Sequence, residues 1–181
     1  MTYKTIYIDP PYPICLTGKY SATRNKRPDR LPYATMTIEE IASLPVESLA
    51  QPGCHIWLWT TNQFMRQGFD LLDKWRFKFL APIHWIKPSG FGNYFIHRTQ
   101  TILFGYYQTC LFPNARYLPN IFHAPSTRHS RKPAASYELI ERISAEPRIE
   151  LFARQARPGW TCLGDAIDGK DIRESLALFL T

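Results

Sequence analysis

The run Asp9-Pro10-Pro11-Tyr12 is the part of this chain whose residue types most directly suggest chemistry. It follows Thr5-Ile-Tyr-Ile8, a β-prone run that two consecutive prolines must end, because proline lacks a backbone donor and has a fixed φ. The sequence therefore places a carboxylate at the end of a strand, followed by a stiff turn. Asp9 and the backbone carbonyl of Pro10 can together accept both hydrogens of an exocyclic amine. Accepting them draws the nitrogen toward tetrahedral geometry and frees a lone pair otherwise delocalised into the ring. Fixed acceptors of this kind act as preorganised electrostatics. Tyr12 can stack on the base, as enzymes that work on an extruded base arrange. Read structurally, the same residues are a strand terminator with a core tyrosine.

The elements that must position this run alternate between strand and helix. Thr37 can cap a short helix through Leu44, with Glu39 and Glu40 in its first turn. Cys54 to Thr60 reads as a buried strand. Asn62 to Trp75 reads as a helix with Met65, Phe69, Leu72 and Trp75 on one face. Phe77 to Ile86 is strand-like, and the turn formers from Lys87 to Tyr94 should end it. Thr101 to Tyr107, Arg148 to Ala153 and Trp160 to Leu163 are further strands. A helix starts near Pro133, with Leu139, Ile140 and Ile143 as its apolar face, and another spans Ile172 to Phe179. Alternation of this kind predicts an α/β chain with a mostly parallel sheet and helices on both faces. Ligands of such sheets sit beyond the carboxyl ends of the strands.

The chain reads as a single domain over 1–181, with a mobile basic loop over 13–32 that carries Lys19, Arg24, Lys26, Arg27 and Arg30. Net charge is +7, so polyanions are favoured as partners. Cys15, Cys54, Cys110 and Cys162 are scattered and the five histidines have no ligand spacing, which argues against structural zinc or a disulfide framework. The start lacks the charged and apolar pattern of a secretory signal, and no stretch has the roughly 20 apolar residues of a membrane span. These features predict a cytoplasmic protein with no membrane partner; a homo-oligomer is compatible with them. No glycine-rich phosphate loop and no GxSxG elbow are present.

Further motifs follow in order: Leu31-Pro-Tyr-Ala-Thr-Met36, His55-Ile-Trp-Leu-Trp-Thr60, His84-Trp-Ile-Lys87, Ser126-Thr-Arg-His-Ser-Arg-Lys-Pro133, Ile149-Glu-Leu-Phe-Ala-Arg154, Pro158-Gly-Trp160 and Leu163-Gly-Asp165. With Asp9 to Tyr12 they resemble the MT-A70-like family of adenine-N6 methyltransferases, relatives of the eukaryotic mRNA adenosine methyltransferase catalytic subunit with short bacterial and phage members. The resemblance implies a Rossmann-like fold that uses S-adenosylmethionine, with the catalytic motif preceding the main cofactor strand. It implies catalytic roles for Asp9, Pro10, Pro11 and Tyr12. Cofactor contacts are implied for Ile8, Asp9, Lys132, Glu150, Leu151, Phe152, Arg154, Gly164 and Asp165. Within that set Lys132 meets the methionyl carboxylate and Glu150 the ribose hydroxyls. Tyr12, Tyr33, Trp85 and Lys87 are implied on the substrate side, with Arg24, Lys26 and Arg27 tracking phosphates. No metal is implied.

The sequence also departs from the family. Tyr12 stands where the family more often has Trp, Gln100 where the mRNA enzyme has an acid, and Asp165 where Asn is usual. A cytosine-N4 enzyme of the same fold more often carries Ser at position 9, and a silent nucleic-acid-binding subunit loses the acidic motif. Asp9 speaks against both. The lack of a separate target-recognition domain or zinc-finger module points to DNA rather than RNA as the polymer.

Overall fold

Two consecutive prolines after Ile8 do end the first strand, β1 (Tyr3–Ile8), and the chain then builds a seven-stranded sheet around it. The computed structural model describes residues 1–13, 34–92, 94–112, 117–125 and 132–180. Most of the basic stretch expected over 13–32 lies outside them, and so does Tyr33. The calls on Arg24, Lys26 and Arg27 fall there too.

After β1 come α1 (Ile38–Ala42), β2 (Ala50–Thr60), a 3-10 turn (Asn62–Phe64) leading into α2 (Met65–Lys74), and β3 (Phe77–Phe91). Then follow β4 (His97–Tyr107), β5 (Ile121–His123), α3 (Ala134–Ile143), β6 (Arg148–Leu151), β7 (Trp160–Leu163), α4 (Asp165–Asp168) and α5 (Ile172–Leu180). The strand order is β5-β3-β4-β2-β1-β6-β7. β4 runs against β2 and β3, while every other described pairing is parallel. This is the mostly parallel sheet that the alternation predicted, Rossmann-like as the resemblance implied.

From β1 the chain passes to β2 on one side, and later returns to β6 on the other. The carboxyl end of β1 is thus a topological switch point, where the two crossovers leave in opposite directions and open a crevice. Asp9 is the first residue beyond it.

Side chains alternate across the sheet, and the registers keep like with like. Ile8 pairs with Leu58 and Leu151, and all three face a core closed by Ile41 of α1, Leu71 and Leu72 of α2 and Leu176 of α5. Tyr7 pairs with Trp57 and Glu150 on the opposite face, where Tyr137 and Ile140 of α3 cover Trp57, Trp59, Trp85 and Phe104. Helices therefore cover both faces. Each fully buried large side chain contributes about 1.5–3 kcal/mol. α1 is held by a capping box, in which Thr37 Oγ1 accepts from the Glu40 N–H at 3.2 Å and Glu40 Oε2 from the Thr37 N–H at 2.8 Å.

Several boundaries differ from expectation. β3 does not stop at Ile86 but runs to Phe91, as one arm of a hairpin with β4, which itself begins four residues earlier than predicted. Gly90 makes this continuation feasible, because a Cβ there would strike the backbone carbonyl of His97. The helix predicted over Asn62 to Trp75 opens as a 3-10 turn; Leu72 and Trp75 are buried as expected, together with Phe64, Gly68 and Leu71. Phe69 is exposed and packs edge-on against Phe79. β6 ends at Leu151 rather than Ala153, and β5 and α4 had no periodic signal to announce them. Among the described residues no helix is long and apolar enough to cross a membrane.

Candidate active site

A cleft of about 700 Å³ opens over the carboxyl ends of the strands, and Asp9 is among the residues that line it. The strand order divides it. On the β6–β7 side stand Lys132, Phe152, Arg154 and Asp165; on the β2–β4–β3 side stand Trp59, Thr61, Gln100, Trp85 and Lys87. Asp9, Pro10, Pro11 and Tyr12 form the seam between them.

Lys132 links the β6–β7 side to the seam. Its ammonium donates to Glu150 Oε1 at 2.9 Å and lies 3.8 Å from Asp9 Oδ2 and 5.2 Å from the centre of the Tyr7 ring. The side chains of Lys132 and Glu150 are only 6% and 2% exposed. The Tyr137 hydroxyl is 3.0 Å from each Glu150 oxygen. An ammonium has three donors, so Lys132 can meet a further anion while still bound to Glu150.

Burial raises the pKa of Asp9 above its ordinary value of 3.8, with Glu150 adding to the rise, while Lys132 and Arg154 oppose it. The folded protein holds this proton more tightly than the unfolded chain does. The stability it supplies is fully present below about pH 3.8 and is lost as pH rises through the elevated folded value. Asp9→Asn should consequently melt higher than the native protein at neutral pH, with the difference vanishing below pH 4. Thermal melting across pH 3 to 8 checks this; a variant that melts lower throughout would contradict it.

The walls are fixed by directional hydrogen bonds. Trp59 Nε1 donates to the Tyr7 hydroxyl at 2.6 Å. The Tyr7 hydroxyl lies 2.7 Å from Ser136 Oγ, which itself donates to the Pro133 carbonyl at 2.7 Å. With the Ser136 proton committed there, Tyr7 must be the donor to Ser136. This chain ties the β2 wall to the residue beside Lys132. Trp85 donates from Nε1 to the Ala124 carbonyl at 2.8 Å and meets Trp59 edge-on, with ring centres 6.0 Å apart. Lys87 lies 4.6 Å above the Trp85 ring, and burial lowers its pKa.

The catalytic run itself is tighter than the sequence suggested. Tyr12 is 3% exposed, with its ring stacked on Phe64 at 5.0 Å and its hydroxyl donating to the Trp59 carbonyl at 3.0 Å. It is a braced wall rather than an open platform. The Pro10 carbonyl, expected to receive an amine hydrogen, accepts the Tyr12 N–H at 2.9 Å. The Pro11 carbonyl accepts the Met36 N–H at 2.9 Å, fastening the turn to the segment before α1. The prolines hold the turn, and the Pro10 carbonyl keeps a second acceptor lone pair.

Of the residues assigned to the cofactor, Asp9, Lys132, Phe152, Arg154 and Asp165 line the cleft; Ile8, Glu150, Leu151 and Gly164 do not. Ile8 and Leu151 are fully buried in the core. Glu150 lies one residue before the end of β6, on the face α3 covers, where its carboxylate accepts from Lys132 and Tyr137. At Gly164 a Cβ would approach the Ala153 carbonyl to 2.5 Å and the Ala153 nitrogen to 2.8 Å, so glycine lets the turn after β6 lie against the end of β7. Sequence reasoning missed Trp59, whose alternation with Trp57 on a strand ending at the cleft was the available signal. It also missed Asp171 and Arg173 at the start of α5. Arg173 binds Asp171 through two nitrogens at 2.8 and 3.0 Å and reaches Glu40 of α1 at 3.3 Å, closing the rim. Among the described residues no group of three His, Cys, Asp or Glu side chains could hold a metal.

Comparison with known proteins places these residues in context. A family model described as MT-A70 matches residues 3–166. A rice protein named "Probable N(6)-adenosine-methyltransferase MT-A70-like" is 33% identical over 151 residues, 77% of this chain and 21% of its own length. An Arabidopsis thaliana "N(6)-adenosine-methyltransferase MT-A70-like" is 30% identical over 93% of this chain and 24% of its own length. The human "N(6)-adenine-specific methyltransferase METTL4" is 28% identical over 92% of this chain and 38% of its own length. The chain therefore spans about a fifth to two fifths of the relatives it matches.

Proposed function

Because this chain belongs to the MT-A70 family, we propose that it transfers a methyl group from S-adenosylmethionine to the N6 amine of adenine in nucleic acid, with DNA as the polymer. The observation that carries this reading is the placement of Asp9 at the switch point, between a charged half of the cleft and an aromatic half.

The donor set on the β6–β7 side fits S-adenosylmethionine. Lys132 offers a spare donor to a carboxylate, Asp165 and Arg154 offer polar partners to hydroxyls, and Phe152 supplies apolar surface. When bound, that molecule would supply an electrophilic methyl on a sulfonium centre, the sulfur keeping the electrons of the broken C–S bond as a neutral thioether. On the other side Trp59, Trp85 and Tyr12 form stiff walls that exclude water from an extruded base. Asp9 accepts one N6–H and so holds the amine with its lone pair turned toward the donor side. Adenine's amine is a weak base, so Asp9 has no proton to remove before the new C–N bond forms. The methylated nitrogen is strongly acidic, and its surplus proton then passes to the Asp9 carboxylate and on to solvent. Asp9 must be ionised for this, and its raised pKa sets the acid limb of activity above the ordinary carboxylate range.

The positive net charge supports a polyanionic substrate, and the base-level wording of the METTL4 name supports reading the base rather than its sugar. RNA is the second reading, favoured by the adenosine wording of the plant relatives. Matched DNA and RNA oligonucleotides, each with one adenine and labelled S-adenosylmethionine, separate the two. The expected result is at least tenfold higher kcat/KM on DNA. The reverse preference replaces DNA with RNA, and no incorporation into either overturns the proposed activity.

A further inference from the structure

A chain of hydrogen bonds runs beneath the cleft, and its middle link, Tyr7, is not part of the cleft lining. The Trp59 indole of β2 donates to the Tyr7 hydroxyl at 2.6 Å, and that hydroxyl donates to Ser136 Oγ at 2.7 Å. Ser136 in turn donates to the Pro133 carbonyl at 2.7 Å, where α3 begins. Each hydroxyl has a single proton, so the chain runs in one direction from the indole to the carbonyl. Bonds arranged this way polarise one another. Trp59, Tyr7 and Ser136 are all buried, so a broken link strands a donor away from water.

The two ends of the chain belong to opposite halves of the cleft. Trp59 lines the aromatic half, where its carbonyl accepts from Tyr12 and its ring meets Trp85. Pro133 and the preceding Lys132 line the charged half. The Lys132 ammonium also rests 5.2 Å from the centre of the Tyr7 ring, within reach of its negative face. An anion that draws Lys132 toward itself therefore acts on Tyr7 directly and on Pro133 through the backbone. A base that settles against Trp59 acts on the same chain from the other end. Tyr7 stands on β1 between Trp57 of β2 and Glu150 of β6, so the chain spans the switch point itself.

We propose that Tyr7 is a positioning residue whose hydroxyl couples the two halves of the cleft, so that the methyl donor in one half tightens binding of the target base in the other. The inference rests on the cofactor and base sides proposed above. Coupling of this kind is reciprocal: the factor by which the cofactor tightens nucleic-acid binding is the factor by which nucleic acid tightens cofactor binding.

S-adenosylhomocysteine keeps the carboxylate but lacks the transferable methyl, so both halves can be filled without reaction. The dissociation constant of an adenine-containing oligonucleotide that the native protein methylates is measured with and without it. The proteins compared are the native chain, Tyr7→Phe, Ser136→Ala and the double variant. In the native protein S-adenosylhomocysteine should tighten oligonucleotide binding at least about fivefold. Tyr7→Phe keeps the ring and removes only the hydroxyl. Ser136→Ala cuts the chain one link further on and leaves Trp59 bonded to Tyr7. Both single variants and the double variant should show a factor below about twofold, because the links belong to one chain. A tyrosine with a merely structural role would lower Tm on substitution and leave the factor unchanged. Should Tyr7→Phe fail to fold in a thermal melt, Ser136→Ala decides alone. A native factor near one, or a factor of native size in either single variant, overturns the coupling while leaving methyl transfer standing. If the native protein methylates adenine in neither DNA nor RNA, it is the proposed function that fails.

Discussion

Asp9→Asn should lose about a hundred- to thousandfold in kcat, the range seen when one preorganised group is removed from a developing charge. KM for the nucleic acid and for S-adenosylmethionine should change by only a few fold. The substitution preserves shape and one acceptor oxygen but removes the charge that opposes the cation forming on the amine nitrogen. Asp9 is a half-buried carboxylate whose ionisation the fold resists, so folding is not expected to suffer. That combination, slower chemistry with equal or greater stability at neutral pH, is what separates a catalytic carboxylate from a structural one. Steady-state kinetics beside thermal melting reads both.

Lys132→Met should have the largest structural effect. The ammonium neutralises Glu150, whose side chain is only 2% exposed, and lies within 3.8 Å of Asp9. Without it Glu150 keeps, among the described residues, the Tyr137 hydroxyl. Breaking a buried ion pair from one side costs about 3–5 kcal/mol. In a chain of this size that lowers Tm by on the order of 10 °C. Pairing Lys132→Met with Glu150→Gln removes the stranded charge, so most of the Tm should return. Methyl transfer should stay lost, because the cleft then lacks a cation for the carboxylate of S-adenosylmethionine. A single variant that melts like the native protein would show that Lys132 is not the counter-charge of Glu150. A double variant that recovers activity would show that it does not serve the cofactor.

The centre of the site was legible because its cause is local. Two prolines after Ile8 stop a strand wherever they stand, and Asp9 must then lie at its carboxyl end. The alternation of Ile56, Leu58 and Trp57, Trp59 likewise dictates which residues share a face. What sequence could not supply was the cover on each face. Glu150 alternates with Ile149 and Leu151, yet only the docking of α3 brings the Tyr137 hydroxyl onto its carboxylate. Pro88 and Gly90 look like strand breakers until β4 is seen returning alongside them. Asp171 and Arg173 belong to the site through a long-range meeting of α5 with α1, which no local pattern encodes.

Nucleoside-resolved analysis of the product tests the central claim most directly. DNA incubated with the protein and S-adenosylmethionine is digested, and the methylated nucleoside is identified by mass. The native protein should yield N6-methyladenine, and Asp9→Asn no more than about a hundredth of it in the same time. Methyl found on the amine of cytosine, or N6-methyladenine formed equally well by Asp9→Asn, would contradict the account.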